Sequence, residues 1–250
     1  PDNYYHTSGD RPSICDPTQL HRAVVIAAAS AYTIASAEED GAIKIASEVA
    51  ANGDKRLSFK MRHDLAQMGS ASADELAAAY KAARWNQDAV EKNEIATLAS
   101  VLELAPESKA LAEYVATLQK GIRETAKGNA LDIDAAMKAY ASALGCAPVK
   151  IELTAEEKAA AKVYPKSTAK VLESGYGVMR TISPELMAKY GFNKRGAVIN
   201  GGEIAKLTTS GTNSILDIKK MLDAQFPVGD SLETITNYVK MLEEAGLVTF

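Results

Sequence analysis

Apolar positions recur along this chain at three- and four-residue spacings, the period that places them on one face of a helix. The first such element is announced by Asp16, Pro17 and Gln19. The aspartate can cap free N–H groups, proline suits the first turn, and glutamine can reach back to the cap. A helix is predicted from Pro17 to about Ala37. Val24, Val25, Ile26, Tyr32 and Ile34 spread around it, so it is expected to be buried on more than one side. Helical texture continues through "EEDGAIKIASEVAANGDKRLS", with Gly53 and the charges at 54–56 predicting a break.

From Ser72 the pattern becomes a helical array. Leu76, Tyr80, Ala83 and Val90 form one stripe, and Leu98, Val101 and Leu102 form a second, which Pro106 stops. Leu111, Tyr114, Val115, Leu118 and Ile122 repeat the spacing, as do Ile133, Met137, Tyr140 and Leu144. Gly145 and Pro148 close this section. Thr154 with Glu157 reads as a capping box, and Ser183 before Pro184 opens a short helix. Ser214 with Asp217, then Asp230 with Glu233, start two further helices, and Gly246 stops the second before "LVTF". The final fifty residues thus predict a helix, turn, helix, helix unit ending in a short strand, similar to a winged helix. The fold class is mainly α, divided into 1–55, a helical region 56–150 and a C-terminal domain 151–250.

Composition narrows the function classes. Of 250 residues, 47% are hydrophobic and 24% charged, an ordinary soluble globular balance with a formal net charge of −4. No basic field is available for nucleic acid or anionic lipid. The winged-helix-like segment 201–250 carries seven carboxylates against four lysines and no arginine, which argues against DNA reading and a transcription regulator. The apolar run Ala23 to Ala37 is shorter than a bilayer span, so no membrane partner is expected. Cys15 and Cys146 are too few for a disulfide framework and lack zinc-knuckle spacing. No signal peptide opens the chain, and Pro1 in place of methionine reads as a processed or truncated polypeptide.

Most polar features have plain structural readings. Trp85, Tyr80 and Tyr114 sit at core spacing, Glu91, Lys92 and Glu94 read as a solvated face, and "GDKRLSFKMRHD" as a solvated linker in which His63 lacks a companion ligand. His21, one turn into the first helix, reads as a surface side chain. "INGGE" at 199–203 lacks the spacing and lysine of a phosphate loop, and no nucleophile elbow is present. No complete catalytic constellation can be assembled from these residues.

"YYHTSGD", residues 4–10, differs, because a loop held before a capped helix is where a ligand or acid–base group can be presented. With the helix that follows, "YYHTSGDRPSICDPTQLHRAVVIAAASAYTIA" resembles the C-terminal end of the catalytic domain in aminopeptidase Y-like di-zinc peptidases. The resemblance covers about the first forty residues. It implies that His6 is a ligand of one zinc, that Tyr5 stabilises the developing oxyanion, and that Asp10 orients the loop or a ligand, a loop-closing role for Asp10 being equally open. Two zinc ions in the complete parent site would activate a bridging water.

Two features depart from the family pattern. Arg11 stands where a threonine often follows the aspartate, and the remaining ligands and the glutamate base would lie upstream of Pro1. The expectation is therefore the last loop and closing helix of an α/β zinc-peptidase domain with a helical extension, binding no zinc and inactive by itself. Its partners would be the upstream catalytic-domain segment and, in the parent enzyme, a peptide substrate, with the parent secreted or periplasmic. The alternative is a non-catalytic helical module for protein interaction or homo-oligomerisation.

Overall fold

The computed structural model describes residues 3–194 and 196–250 and is mainly helical. It comprises two compact units: one runs to Ala51 and includes Thr97–Gln119, and the other is Asn52–Ala96 with Lys120–Phe250. Helices α2 (Glu39–Ser70), α3 (Leu76–Ser100) and α4 (Lys109–Leu144) contribute residues to both.

In the first unit, helix α1 (Pro17–Ala35) starts as its sequence predicts. The Asp16 carboxylate accepts from the N–H groups of Thr18 and Gln19 at 2.8 and 3.3 Å. The predicted burial is not found: none of its residues is buried, and Ile26 and Tyr32 are 67% and 74% exposed. The cap and the alanine-rich composition favour the helix locally, but no described element covers its apolar side chains. The buried positions of this unit are Ala42, Ala46 and Ala50 of α2, with Leu98, Val101, Leu111 and Val115. Ser47 and Tyr114 share a hydrogen bond of 2.9 Å, and Ser108 caps α4 through the Leu111 N–H while donating to Glu39.

In the second unit, α2 passes through Gly53 without the predicted break. A side chain at Gly53 would place its Cβ 3.1 Å from Glu94 Oε2 and 3.1 Å from Ile122 Cδ1. Glycine is used here for close approach rather than for a turn. The supposed linker is the middle of α2, with Leu57 and Asp64 buried. Met68 of α2, Leu76, Tyr80 and Ala83 of α3, and Ile133, Met137 and Ala141 of α4 form one apolar cluster. The two stripes read between Leu111 and Leu144 belong to the single helix α4.

Beyond α4 the same unit contains α5 (Ala155–Ala160), β1 (Lys166–Ser167), α6 (Ala169–Ser174), α7 (Pro184–Lys189), α8 (Gly201–Leu207), α9 (Ile215–Gln225), α10 (Leu232–Glu244) and β2 (Val248–Thr249). The capping boxes at Thr154 and Ser214 form as predicted, and Ser183 caps α7. Ile204, Ile215, Ile218, Leu222, Ile235, Val239 and Leu242 form the apolar centre, with Phe192 edge-on to Tyr238 at 5.5 Å. The closing strand pairs antiparallel with β1, Ser167 opposite Val248, so its partner lies well before the final fifty residues. The start of α10 departs from expectation: Ser231 supplies the cap. Asp230 is buried and accepts the N–H groups of Ile199 and Asn200, both at 2.8 Å, which anchors the entry to α8.

Gly53→Leu should destabilise the protein by about 1–3 kcal/mol, because no space exists for the side chain. Gly121→Ala and Gly128→Ala, at helical positions with nothing within 4 Å, should stabilise it by up to about 1 kcal/mol each. Urea denaturation of the three variants measures the contrast.

Candidate functional site

Two places combine polar chemistry with a defined geometry: the loop before α1 and a cavity in the second unit. The loop is held by its own backbone. Thr7 N–H donates to Tyr4 O at 2.9 Å, Thr7 Oγ1–H to the same oxygen at 2.7 Å, and Asp10 N–H to Thr7 O at 3.2 Å. Gly9 N–H donates to Thr7 Oγ1, and Arg11 Nε–H to Ser8 O. His6 sits at the bend with φ +60°, the single non-glycine residue in the left-handed region among those described. That conformation costs a histidine about 1–2 kcal/mol. The Tyr5 and His6 rings are 4.0 Å apart between centroids, and both residues are exposed.

The loop therefore brings Tyr5, His6 and Asp10 onto one short segment. Among the described residues no group of three or more His, Cys, Asp or Glu side chains is placed to hold a metal ion. Cys15 is exposed and both cysteines are free.

Around the second place, α3 carries polar groups inside where its sequence predicts a solvated face. Glu94 is 1% exposed and receives both Arg56 Nε–H and Nη2–H, at 2.7 and 2.6 Å. Buried Gln87 accepts from Asn129 at 3.0 Å. Lys92 donates to Asp217 at 2.7 Å and to Thr212 O at 2.8 Å. Lys81 binds Glu157 at 2.7 Å and lies 4.5 Å from the Trp85 ring centre, and Trp85 packs against the C-terminal apolar centre. A signal for these positions was present. Leu76, Tyr80, Ala83, Gln87, Glu94 and Leu98 follow one stripe of α3, so Gln87 and Glu94 occupy core positions flanked by apolar ones.

About two turns of α2 beyond Arg56, Asp64 is 3% exposed. Asn86 Nδ2–H donates to its Oδ1 at 2.9 Å, and His63 Nδ1 lies 3.3 Å from the same oxygen. Oδ2 is buried with no hydrogen-bond partner. Burial pushes the Asp64 carboxyl above its ordinary value of 3.8, against the opposing pull of Asn86, His63 and Lys60. Asp64 also borders an open cavity of about 930 Å³, a size typical of small-molecule sites.

No protein-family model matches the chain, and neither does a curated protein or a solved structure. No helix among the described residues is long and apolar enough to cross a membrane.

The two buried carboxylates give opposite expectations. Arg56→Met leaves Glu94 buried without its cation and should cost about 3 kcal/mol, most of it recovered in Arg56→Met/Glu94→Leu, as a double-mutant cycle in urea would measure. For Asp64 the folded-state pKa is raised, so its stabilising contribution is complete below pH 3.8 and is lost as pH rises through the folded value. Asp64→Asn should remove that loss. Its stability relative to the wild type should climb from pH 3.8 upward and then level off, as denaturation at pH 3 to 7 would record.

Proposed function

We propose that residues 1–55 belong to a di-zinc aminopeptidase-type catalytic domain and include its last ligand loop and closing helix, with the rest of the chain as its helical extension. The observation that supports this best is α1 itself. It is a well-capped helix of 19 residues that buries none of them and leaves Leu20, Val24, Val25, Ile26, Tyr32 and Ile34 at least half exposed. Apolar side chains exposed along a whole helix call for a covering surface. In this reading that surface is the upstream part of the catalytic domain. The same segment would bring the other zinc ligands and the general base, and the parent reaction would hydrolyse peptide bonds from the N-terminus.

The loop supports the reading through its conformation. A histidine held at φ +60° by the two hydrogen bonds that Thr7 makes to Tyr4 O has its backbone direction set before any ligand arrives, and such positions cluster at functional sites. Tyr5 beside it is the matching position for an oxyanion donor. Among the described residues no group is placed to hold a metal, so no chemical step is assigned to them beyond these contributions.

The exposed helix also suits the second reading, in which two copies of this chain pair through α1 in a non-catalytic module. Intact mass, zinc content and solution mass of the protein isolated from its source separate the two. In the protein with its upstream segment, His6→Ala should lose zinc and aminopeptidase activity together. Tyr5→Phe should retain zinc and lower kcat by about a hundredfold, the scale of one oxyanion donor. Full zinc occupancy and turnover in His6→Ala would reject the ligand assignment. A zinc-free dimer that becomes monomeric on Ile26→Glu would establish the second reading.

A further inference from the structure

The cavity over Asp64 is independent of the zinc reading. Its wall on one side is a run of small side chains from α3, Ala78, Ala79, Ala82 and Ala83, and on the other the end of α9 and the residues just after it, 223–227. The charged side chains facing it are Lys60, Asp64, Glu75 and Asp223, with His63 beside them. Three carboxylates therefore meet one ammonium group.

That ammonium group pairs with Asp64 only at long range. Lys60 Nζ donates to Ala224 O at 3.2 Å and stands 4.0 Å from Asp64 Oδ1, at the outer limit of an ion pair. Two of the carboxylates are already occupied. Glu75 accepts from Ser72 N–H and Oγ–H, and Asp223 is held by Lys219 at 2.5 and 2.7 Å. Asp64 is the exception: it is the most buried of the three and retains an oxygen without a donor. An isolated buried carboxylate is costly unless paired. The carboxyl torsion of an aspartate is broad, and Asp64 itself lines the cavity.

We propose that this cavity binds an ammonium group carried on an aliphatic stem, the ammonium completing the hydrogen bonds of Asp64 and the stem lying on the alanine wall. A free aliphatic diamine and a lysine side chain of a peptide share this chemistry.

Isothermal titration of the full chain distinguishes them with three probes: putrescine, Nα-acetyl-lysine methylamide and the uncharged 1,4-butanediol. At least one of the amines should bind saturably, tenfold or more tightly than butanediol, since a hydrogen bond to a charged group is worth about that factor. Putrescine alone would assign a free amine as the ligand, and the lysine derivative alone a peptide side chain. Asp64→Asn should weaken the binding at least about tenfold. Ala82→Phe should do the same by filling the exposed wall with Asp64 intact, which keeps the test decisive if Asp64→Asn does not fold. Binding of neither amine, equal binding of butanediol, or unchanged amine affinity in a folded variant would overturn the proposal.

Discussion

The second unit is organised around the contact between Arg56 and Glu94. A carboxylate that is 1% exposed in the middle of α3 must be paired where it stands, and only a guanidinium reaching across from α2 supplies two parallel bonds to it. That requirement fixes which turn of α2 faces which turn of α3. Gly53, one turn before Arg56, has no side chain to push Glu94 or Ile122 away. Asp64 with Asn86, and Gln87 with Asn129, then fall into place as further polar layers along the same seams. Apolar contacts such as Met68, Leu76 and Ile133 supply burial, but they tolerate sliding. Polar layers do not, because a slip by one turn leaves each partner unsatisfied.

The C-terminal helices are joined to this framework by the outer face of α3. Lys81, Asp88 and Lys92 each find an opposite charge, on Glu157, Lys220 and Asp217. Trp85 lies among them, with Lys81 and Lys220 near its ring and its body against the C-terminal apolar cluster. Asp217 shows how the balance is struck. Burial pushes its carboxyl pKa upward, but hydrogen bonds from Lys92 and Ser214 outweigh that and hold it below the ordinary value. The side chain thereby serves as both a cap of α9 and the attachment point for α3.

Local signals were legible in the sequence where the chain acts on itself. Asp16, Thr154, Ser183 and Ser214 all cap the helices their neighbours announce, since a cap needs only residues three places away. The mainly α class followed from periodicity for the same reason. Readings failed where the meaning of a residue depended on a distant partner. Gly53 looked like a break because glycine and charge are common at turns, and Glu94 looked solvated because its cation is 38 positions away. Asp230 resembled a cap because Glu233 follows it, whereas its carboxylate is used by the backbone at 199 and 200. At the candidate loop, the residue types of Tyr5, His6 and Asp10 were visible, but the bend at His6 was not. Few non-glycine residues adopt φ +60°, and although histidine does so more often than most, the turn here arises from Thr7 bonding back to Tyr4.

Glu94 and Asp64 show why burial alone does not mark a functional group. Both are acids removed from water on neighbouring helices of the same unit. Glu94 meets a guanidinium that satisfies both oxygens, so its charge is fully used by the fold and nothing is left for a ligand. Asp64 receives an amide, a nearby imidazole nitrogen and a lysine that has its own backbone partner, and one oxygen receives nothing. Asn86 gives Asp64 a part in the register of α2 against α3, yet its carboxylate carries a desolvation cost that an amide side chain would avoid. The unsatisfied oxygen beside an open cavity gives that cost a chemical use, because a cation entering the cavity completes a hydrogen-bond set that the protein leaves incomplete.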